Sequence, residues 1–339
     1  MESMLVKADR GYIMKVIDMH CDTIGELFAL QSQGKPGALR ENELHIDLTR
    51  MKGSGYLLQN FALFVQLGKD YDPWERVCGL YECYEQEIKK NSDLIRPVYQ
   101  FSDIADNERA GRMSALLTVE EGAVCKGELE KLRELYRWGV RMLTITWNFP
   151  NELGWPNLSR GQSHYIPNTT QGLTERGREF VAEMEVLGMI PDVSHLSDAG
   201  FYDVLEVTKK PFVASHSNAR AVCPWVRNMT DDMIRKLSER GGVMGLNFCA
   251  DFLEEVPEGQ KNPGTIAAVV RHAKHIVNVG GIGVLGLGSD FDGIPTHEEL
   301  PGAQSMELLW EVLKRSGFTE EQLDGIFWKN VLRVYEEVL

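Results

Sequence analysis

The chain has 339 residues, of which 43% are apolar and 25% are charged. This composition excludes a disordered chain, a collagen and a small disulfide-rich protein. With 36 basic and 50 acidic residues the formal charge is -14, and because so acidic a surface repels phosphate we expect no nucleic-acid partner. The six cysteines form no C-x-x-C pair, and no apolar run approaches the roughly 20 residues that cross a bilayer. We therefore expect a soluble, cytoplasmic protein with no membrane partner.

Residues 1–13 are predicted to be a short N-terminal extension, because the first convincing strand begins near Met14. Beyond it, short apolar runs alternate with longer segments of helical periodicity, and Thr174, Ser197 and Thr230 are predicted to cap three of the helices. The eight predicted strands are 15–20, 60–67, 114–120, 140–146, 189–195, 211–216, 242–248 and 284–290. The predicted helices are 73–91, 128–138, 174–188, 197–208, 230–240 and 263–279, with two or three more in 305–339.

Strands that alternate with helices predict parallel β/α units, and eight such units favour a closed (β/α)8 barrel over an open doubly wound sheet. No G-x-G-x-x-G follows the first strand, which removes one common reason for an open sheet. Since no linker is found, residues 14–339 are predicted to form a single catalytic barrel domain with C-terminal helices. The polar stretch 148–172 is long for a loop, and it would overhang the face of the barrel that carries active sites.

Acidic residues and histidines mark the ends of the predicted strands. His20 and Asp22 follow the first strand, where the alternation of side chains places both on one face and Cys21 on the other. Glu120 ends the third strand, whereas the next residue, Glu121, is predicted to be a solvated loop acid. Each of these residues also has a structural interpretation, in which Asp22, for example, caps the following helix.

The fifth, sixth and eighth strands end in D-V-S-H, V-A-S-H-S and G-L-G-S-D-F-D-G. They supply His195, His216 and Asp290, with Asp292 expected on the same side of its strand as Asp290. A lone histidine in such a place is more often structural, but the carboxyl ends of barrel strands meet at one mouth. Three imidazoles and three carboxylates gathered there predict one or two divalent cations. The weaker candidates in loops are His45, His164 and His297, and those predicted to be structural are His272 and His275.

The ordered set of motifs resembles the membrane (renal) dipeptidase family of zinc metallopeptidases, in a soluble bacterial-type form. The set spans residues 18 to 293 and consists of D-M-H-C-D-T, T-V-E-E-G, D-V-S-H, S-H-S-N-A-R-A-V-C-P-W-V-R-N and G-L-G-S-D-F-D-G. The resemblance implies two Zn²⁺ ions, with Mn²⁺ or Co²⁺ as substitutes, and the hydrolysis of unblocked dipeptides by a water or hydroxide that bridges the ions. Relatives are often dimers, so the resemblance is also compatible with a homodimer.

The resemblance also assigns the metal ligands. It implies that His20 and Asp22 bind one ion, that Glu120 bridges both ions, and that His195 and His216 bind the second.

Three further residues receive a role from the resemblance. Asp290 would transfer the proton, and Arg227 in W-V-R-N would hold the terminal carboxylate of the substrate, which suits a guanidinium group. Trp147, in L-T-I-T-W-N, departs from the family, because mammalian members carry there a histidine that contacts the scissile group. The departure implies a substrate-binding position with an altered preference, where stabilisation of the oxyanion depends more on the metal.

Two alternatives remain open from the sequence. One is another binuclear amidohydrolase of the deaminase, lactonase or phosphotriesterase type, many of which use H-x-H on the first strand and a lysine-derived bridge on the fourth. This chain instead has H-x-D and Glu120, and L-T-I-T-W contains no lysine. The other is a metal-binding scaffold without activity, which should lack a ligand or the proton-transferring carboxylate, and neither is lacking.

Overall fold

The computed structural model describes residues 14–159, 161–257, 259–295 and 297–339, so the predicted extension 1–13 lies outside the described residues. The strands are β1 (Val16–Asp18), β2 (Tyr56–Phe64), β3 (Ile95–Pro97), β4 (Met113–Glu120), β5 (Val140–Thr144), β6 (Ile190–Asp192), β7 (Val213–Ala214), β8 (Val243–Leu246) and β9 (Leu285–Leu287). The α-helices are α1 (Thr23–Ser32), α2 (Leu48–Gly53), α3 (Pro73–Lys90), α4 (Ser102–Arg109), α5 (Leu129–Trp138), α6 (Glu175–Leu187), α7 (Asp198–Val207), α8 (Asp231–Glu239), α9 (Ala250–Leu253), α10 (Ile266–Gly280), α11 (Met306–Arg315), α12 (Glu320–Asp324) and α13 (Asn330–Val338). Short 3₁₀ helices occupy Gly122–Cys125, Ile282–Val284 and Ala303–Ser305, and a π-helical turn, Gly325–Lys329, joins α12 to α13.

Eight of the strands close into a parallel barrel, which confirms the predicted (β/α)8 fold. The order around the barrel is β2-β1-β9-β8-β7-β6-β5-β4, and the pairing of β2 with β4 completes the ring. The remaining strand, β3, lies outside the ring and was not predicted. It pairs only with the first residues of β4, where Ile95 lies opposite Met113. Along the rest of β4, Phe64 of β2 comes to lie beside Glu120 at the carboxyl end.

Apart from the strand that ends at Glu120, the predicted strands are too long at their carboxyl ends. The ladder ends at Asp18, Asp192 and Leu287, two or three residues before the predicted strand ends. Beyond these points, buried carboxylates accept the hydrogen bonds of backbone N–H groups in place of strand carbonyls. Asp18 accepts from the backbone N–H groups of His20 and Ser289, and Asp192 accepts from those of Ser194 and Ser215. The chain therefore turns out of each strand while its backbone groups stay paired.

The helices follow the sequence pattern closely. The predicted caps are confirmed, because the hydroxyls of Thr174, Ser197 and Thr230 accept from the backbone N–H three residues on. The predicted ranges do not include the helices α1, α2, α4 and α9. Three of these, α2, α4 and α9, have only six, eight and four residues, too few to display a clear apolar stripe.

The barrel interior is filled by branched and sulfur-containing side chains, and one end is closed by the last helix. Val331, Val334 and Tyr335 of α13 pack against the buried strand residues, and the Tyr335 hydroxyl donates to Oδ1 of Asn60 at 2.8 Å. The opposite end, where the strands terminate, remains open to ligands. Among the described residues no helix is both long enough and apolar enough to cross a membrane.

Candidate active site

The predicted metal ligands converge at the open end of the barrel. The three groups of side chains that could each hold a metal ion are His20 with Asp22 and Glu120, Glu120 with His195 and His216, and His20 with His216 and Asp290. All six side chains are buried. They come from the ends of β1, β4, β6, β7 and β9, as the strand-end pattern predicts.

Glu120 lies at the centre of this cluster, and its two oxygen atoms face different histidines. Its Oε2 lies 3.4 Å from Nε2 of His20, which in turn lies 3.4 Å from Oδ2 of Asp22. Its Oε1 lies 3.0 Å from Nε2 of His195 and 3.6 Å from Nε2 of His216. One carboxylate therefore joins two groups of ligands, an arrangement that suits a bridge between two cations.

Hydrogen bonds outside the cluster fix the histidine rings. Nδ1 of His195 donates to Oδ1 of Asn148 at 3.0 Å. Nδ1 of His216 donates to Oγ of Ser215 at 2.7 Å, and that hydroxyl donates to Oδ2 of Asp192 at 2.6 Å. Because each Nδ1 carries the proton, each Nε2 turns a lone pair toward the cluster, as a metal ligand requires.

Unpaired polar atoms test whether these residues fit a metal. Nε2 of His20 and Oδ1 of Asp22 are buried and have no hydrogen-bond partner. Asp22 occupies the N-cap position of α1, but its side chain makes no capping bond, so capping does not account for the buried carboxylate. Buried polar atoms without a partner are costly, and imidazole with carboxylate is a ligand set that suits Zn²⁺. The cluster therefore fits divalent cations.

Asp290 faces the cluster from a turn that follows β9. Its φ is +64°, and that of Asp292 is +68°, so a left-handed backbone rather than strand alternation aims both side chains. Oδ1 of Asp290 lies 3.9 Å from Nε2 of His20, and Oδ2 accepts from Nδ2 of Asn247 at 2.8 Å. Burial raises the pKa of the Asp290 carboxyl to about 7. Asp292 instead accepts from Oγ1 of Thr23 and the backbone N–H of His45.

Arg227 is a buried cation beside the histidines. The residue is only 3% exposed, and its Nη2 lies 3.0 Å from Nε2 of His195. Nε and Nη1 are buried without a partner. Two free N–H donors on a buried guanidinium group suit a carboxylate ligand.

A cavity of about 550 Å³ opens over the cluster, a volume typical of small-molecule sites. Trp147 forms part of its wall, with its ring centroid 4.9 Å from that of Phe64 and 6.2 Å from that of His195. Leu158 also lines the cavity, so the long loop after β5 does border the site as predicted.

The prediction that Glu121 is a solvated loop acid is wrong. It is fully buried, with a φ of +104°. Its carboxylate accepts from the backbone N–H groups of Ala123 and Trp147 and from the amide of Asn151, and burial raises its pKa to about 7. Glu121 therefore ties the end of β4 to the loop that carries Trp147 and Asn148.

The residues that orient the side chains of the cluster were not predicted. Asn148, Ser215 and Asn247 bond to cluster side chains, and Asp192 accepts from the Ser215 hydroxyl behind His216. Asparagine and serine are common in loops, and nothing in their spacing sets these residues apart. None of the other five histidines belongs to a metal group found in the described residues. His272, predicted to be structural, bridges the backbone N–H of Ala219 and the carbonyl of Leu253.

Comparisons with known proteins agree with this geometry. The family model described as membrane dipeptidase (peptidase family M19) matches residues 12–339. An uncharacterized dipeptidase of Schizosaccharomyces pombe is 33% identical, over 95% of this chain and 80% of that protein, and a dipeptidase of Claviceps purpurea is 32% identical, over 87% and 69%. A metallopeptidase from Rhodobacter sphaeroides, solved with a phosphinate mimic of L-Ala-D-Ala, superposes with a TM-score of 0.87 at 25% identity, covering 97% of this chain and all of that one. The chain belongs to the membrane dipeptidase family, peptidase family M19.

Proposed function

We propose that the protein is a metal-dependent dipeptidase that hydrolyses unblocked dipeptides with two Zn²⁺ ions. The observation that carries the proposal is the position of Glu120, whose two oxygens face His20 on one side and His195 and His216 on the other. His20 and Asp22 would hold one ion, and His195 and His216 the other. Family membership and the relatives named as dipeptidases support the same class of reaction.

The chemistry divides between the cations and the chain. When bound, divalent cations supply Lewis acidity and lower the pKa of a water molecule toward neutrality. Asp290 accepts the proton of the attacking water, because its carboxylate faces the cluster, with Oδ1 3.9 Å from Nε2 of His20. It then delivers that proton to the departing amine nitrogen as the C–N bond breaks. Asn247 holds the Asp290 carboxylate in place.

Arg227 sets the class of substrate. Its unpartnered N–H groups would bind the free terminal carboxylate of a dipeptide. A longer peptide or a C-terminal amide has no carboxylate at this distance from the scissile bond, so both would be poor substrates. Trp147 and Phe64 pack edge to face and form an apolar wall beside the cluster.

Metal removal and reconstitution test the proposal. The protein is freed of metal with a chelator, Zn²⁺ is added back in steps, and hydrolysis of alanylalanine is followed together with the bound metal. We expect no activity without metal and full activity at two equivalents per chain, with Mn²⁺ or Co²⁺ as partial substitutes. Undiminished activity after chelation would contradict the proposal, as would hydrolysis of lactones or nucleobases with none of dipeptides.

A further inference from the structure

Besides Arg227, two cationic side chains line the catalytic cavity without an ion-pair partner among the described residues. Lys69, in the loop after β2, and Arg76, in the first turns of α3, both line the cavity. Neither forms a salt bridge within the described part of the chain, whereas many other surface cations of the protein do. The mechanism proposed above gives neither of them a role.

Arg76 is held in place although its charge is not neutralised. Its guanidinium carbon lies 4.4 Å from the ring centroid of Phe28 and 5.5 Å from that of Tyr71. Tyr71 is itself fixed, because its hydroxyl donates to the backbone carbonyl of Gln66 at 2.8 Å. Nε of Arg76 is buried and has no hydrogen-bond partner. A half-buried, stacked guanidinium with a free N–H is preorganised for a planar anion such as a carboxylate.

The barrel order places these cations opposite Arg227. Lys69 and Arg76 follow β2, while Arg227 follows β7, and four steps around the ring separate β2 from β7 in either direction. A dipeptide whose terminal carboxylate lies at Arg227 has its scissile carbonyl over the central cluster. Its N-terminal residue must then extend toward β2.

We propose that this part of the cavity selects dipeptides whose N-terminal residue carries an acidic side chain, with Arg76 and Lys69 binding the side-chain carboxylate. The proposal rests on the dipeptidase function proposed above. Glu26 lines the same cavity and supplies an anion for the substrate's free ammonium group. The N-terminal residue of such a substrate carries both charges, and the wall offers a partner for each.

Matched substrates test the proposal. The metal-loaded protein is assayed on two matched pairs, glutamylalanine with glutaminylalanine and alanylglutamate with alanylglutamine. Because a hydrogen-bonded charge pair is lost when glutamine replaces glutamate, we expect kcat/KM for glutamylalanine to exceed that for glutaminylalanine by about tenfold or more. Alanylglutamate should show no comparable gain over alanylglutamine, since its acidic side chain lies across the barrel mouth from Arg76 and Lys69.

Variants connect the preference to the two cations. In Arg76→Met and Lys69→Met the ratio between glutamylalanine and glutaminylalanine should fall, and in the double variant it should approach one. Arg112→Met is the matched control, because Nε of Arg112 is also buried without a partner but the residue lies at the other end of the barrel, beside Met14 and Gly55. This control should keep the wild-type ratio.

The outcomes separate the two proposals. If glutaminylalanine is cleaved well and glutamylalanine no better, the acidic preference is wrong and the dipeptidase function stands. A tenfold preference that persists in the double variant would overturn the role of Arg76 and Lys69, and a gain on alanylglutamate alone would overturn the assignment to the N-terminal residue. If no dipeptide is cleaved at all, the proposed function itself fails.

Discussion

Asp290 depends on a backbone conformation that side chains rarely adopt. Its φ of +64° and the bond from Asn247 keep its carboxylate beside His20. A non-glycine residue in the left-handed region costs free energy, and such residues cluster at functional sites. Asp292 shares this conformation, so it is the placement of the Asp290 carboxylate beside His20 that favours a chemical role for Asp290.

We expect Asp290→Asn to lower kcat for an unblocked dipeptide by at least 100-fold, because an amide does not exchange a proton near neutral pH. The bound metal should stay near the wild-type level, since His20, Asp22, Glu120 and the other histidines are unchanged. Steady-state kinetics together with metal analysis measure both.

Asp292→Asn provides the control, because Asp292 has a similar backbone conformation but bonds to Thr23 and His45 instead of facing the cluster. We expect its kcat to fall by less than tenfold. Normal turnover in Asp290→Asn would remove Asp290 from the mechanism.

At the scale of single residues, the sequence predicts the side chains of the cluster better than it predicts the residues that orient them. His20, Asp22, Glu120 and the two other histidines are identifiable because metal-binding side chains stand out at strand ends. Glu121 is not, because its burial depends on a loop 26 and 30 residues away, where Trp147 and Asn151 donate to it. A contact of that kind leaves no local pattern.

Among the elements, the loop after β5 is held most by a single buried side chain, the carboxylate of Glu121. Glu121 accepts from Ala123, Trp147 and Asn151, and the same loop presents Asn148 to His195. Removing the Glu121 carboxylate would leave buried donors without acceptors. The orientation of His195 is therefore coupled to the loop.

We expect Glu121→Ala to lower the free energy of unfolding by about 2–4 kcal/mol, measured by urea denaturation of the metal-free protein. The same variant should bind its second metal equivalent about tenfold or more weakly, because the support of His195 loosens. Glu128→Ala, which removes only an exposed ion pair to Lys131, should change stability far less. Equal effects of the two substitutions would show that Glu121 is not an anchor.

Element type was predictable, whereas element length was not. Apolar runs identify the buried strands and hydroxyl caps begin the helices, so the order of β/α units follows from the sequence. The carboxyl ends of the strands are decided by Asp18 and Asp192, whose carboxylates take over the backbone donors. The short strand β3 has no alternation to reveal it, because only Ile95 of its three residues is buried.

At the scale of the whole molecule, the buried side chain of His272 joins successive β/α units by hydrogen bonds. His272 of α10 accepts the backbone N–H of Ala219 at Nδ1, at 3.0 Å, and donates from Nε2 to the carbonyl of Leu253 at 2.9 Å. It thereby connects α10 with the segments after β7 and β8. Burial lowers the pKa of His272 to about 4, so the folded protein holds this ring neutral.

The lowered pKa predicts how stability depends on pH. The unfolded chain takes up the His272 proton near pH 6.5, before the folded protein does, so stability is lost as the pH falls below 6.5. Between pH 7 and pH 5 we expect the stability advantage of the wild type over His272→Gln to shrink by about 2 kcal/mol. Urea unfolding of metal-free protein at both values measures it, and a difference that is independent of pH would contradict the assignment.

The count of β/α units predicts a closed barrel. The site residues come together at one end only because the barrel closes. His20 and His216 are 196 positions apart in the chain, yet their ring centroids lie 3.9 Å apart. The sequence predicts this proximity only once the barrel is assumed. Because α13 closes one end of the barrel, the cavity opens at the opposite end, where the six side chains of the cluster lie.

The most direct test of the account compares alanylalanine with its C-terminal amide on the zinc-loaded protein. If Arg227 binds the free carboxylate beside the metal cluster, kcat/KM should be about 100-fold higher for the free dipeptide, and a chelator should abolish both activities. Arg227→Met should remove most of the difference between the two substrates. Equal cleavage of dipeptide and amide by the wild type, or cleavage that persists without metal, would contradict the account.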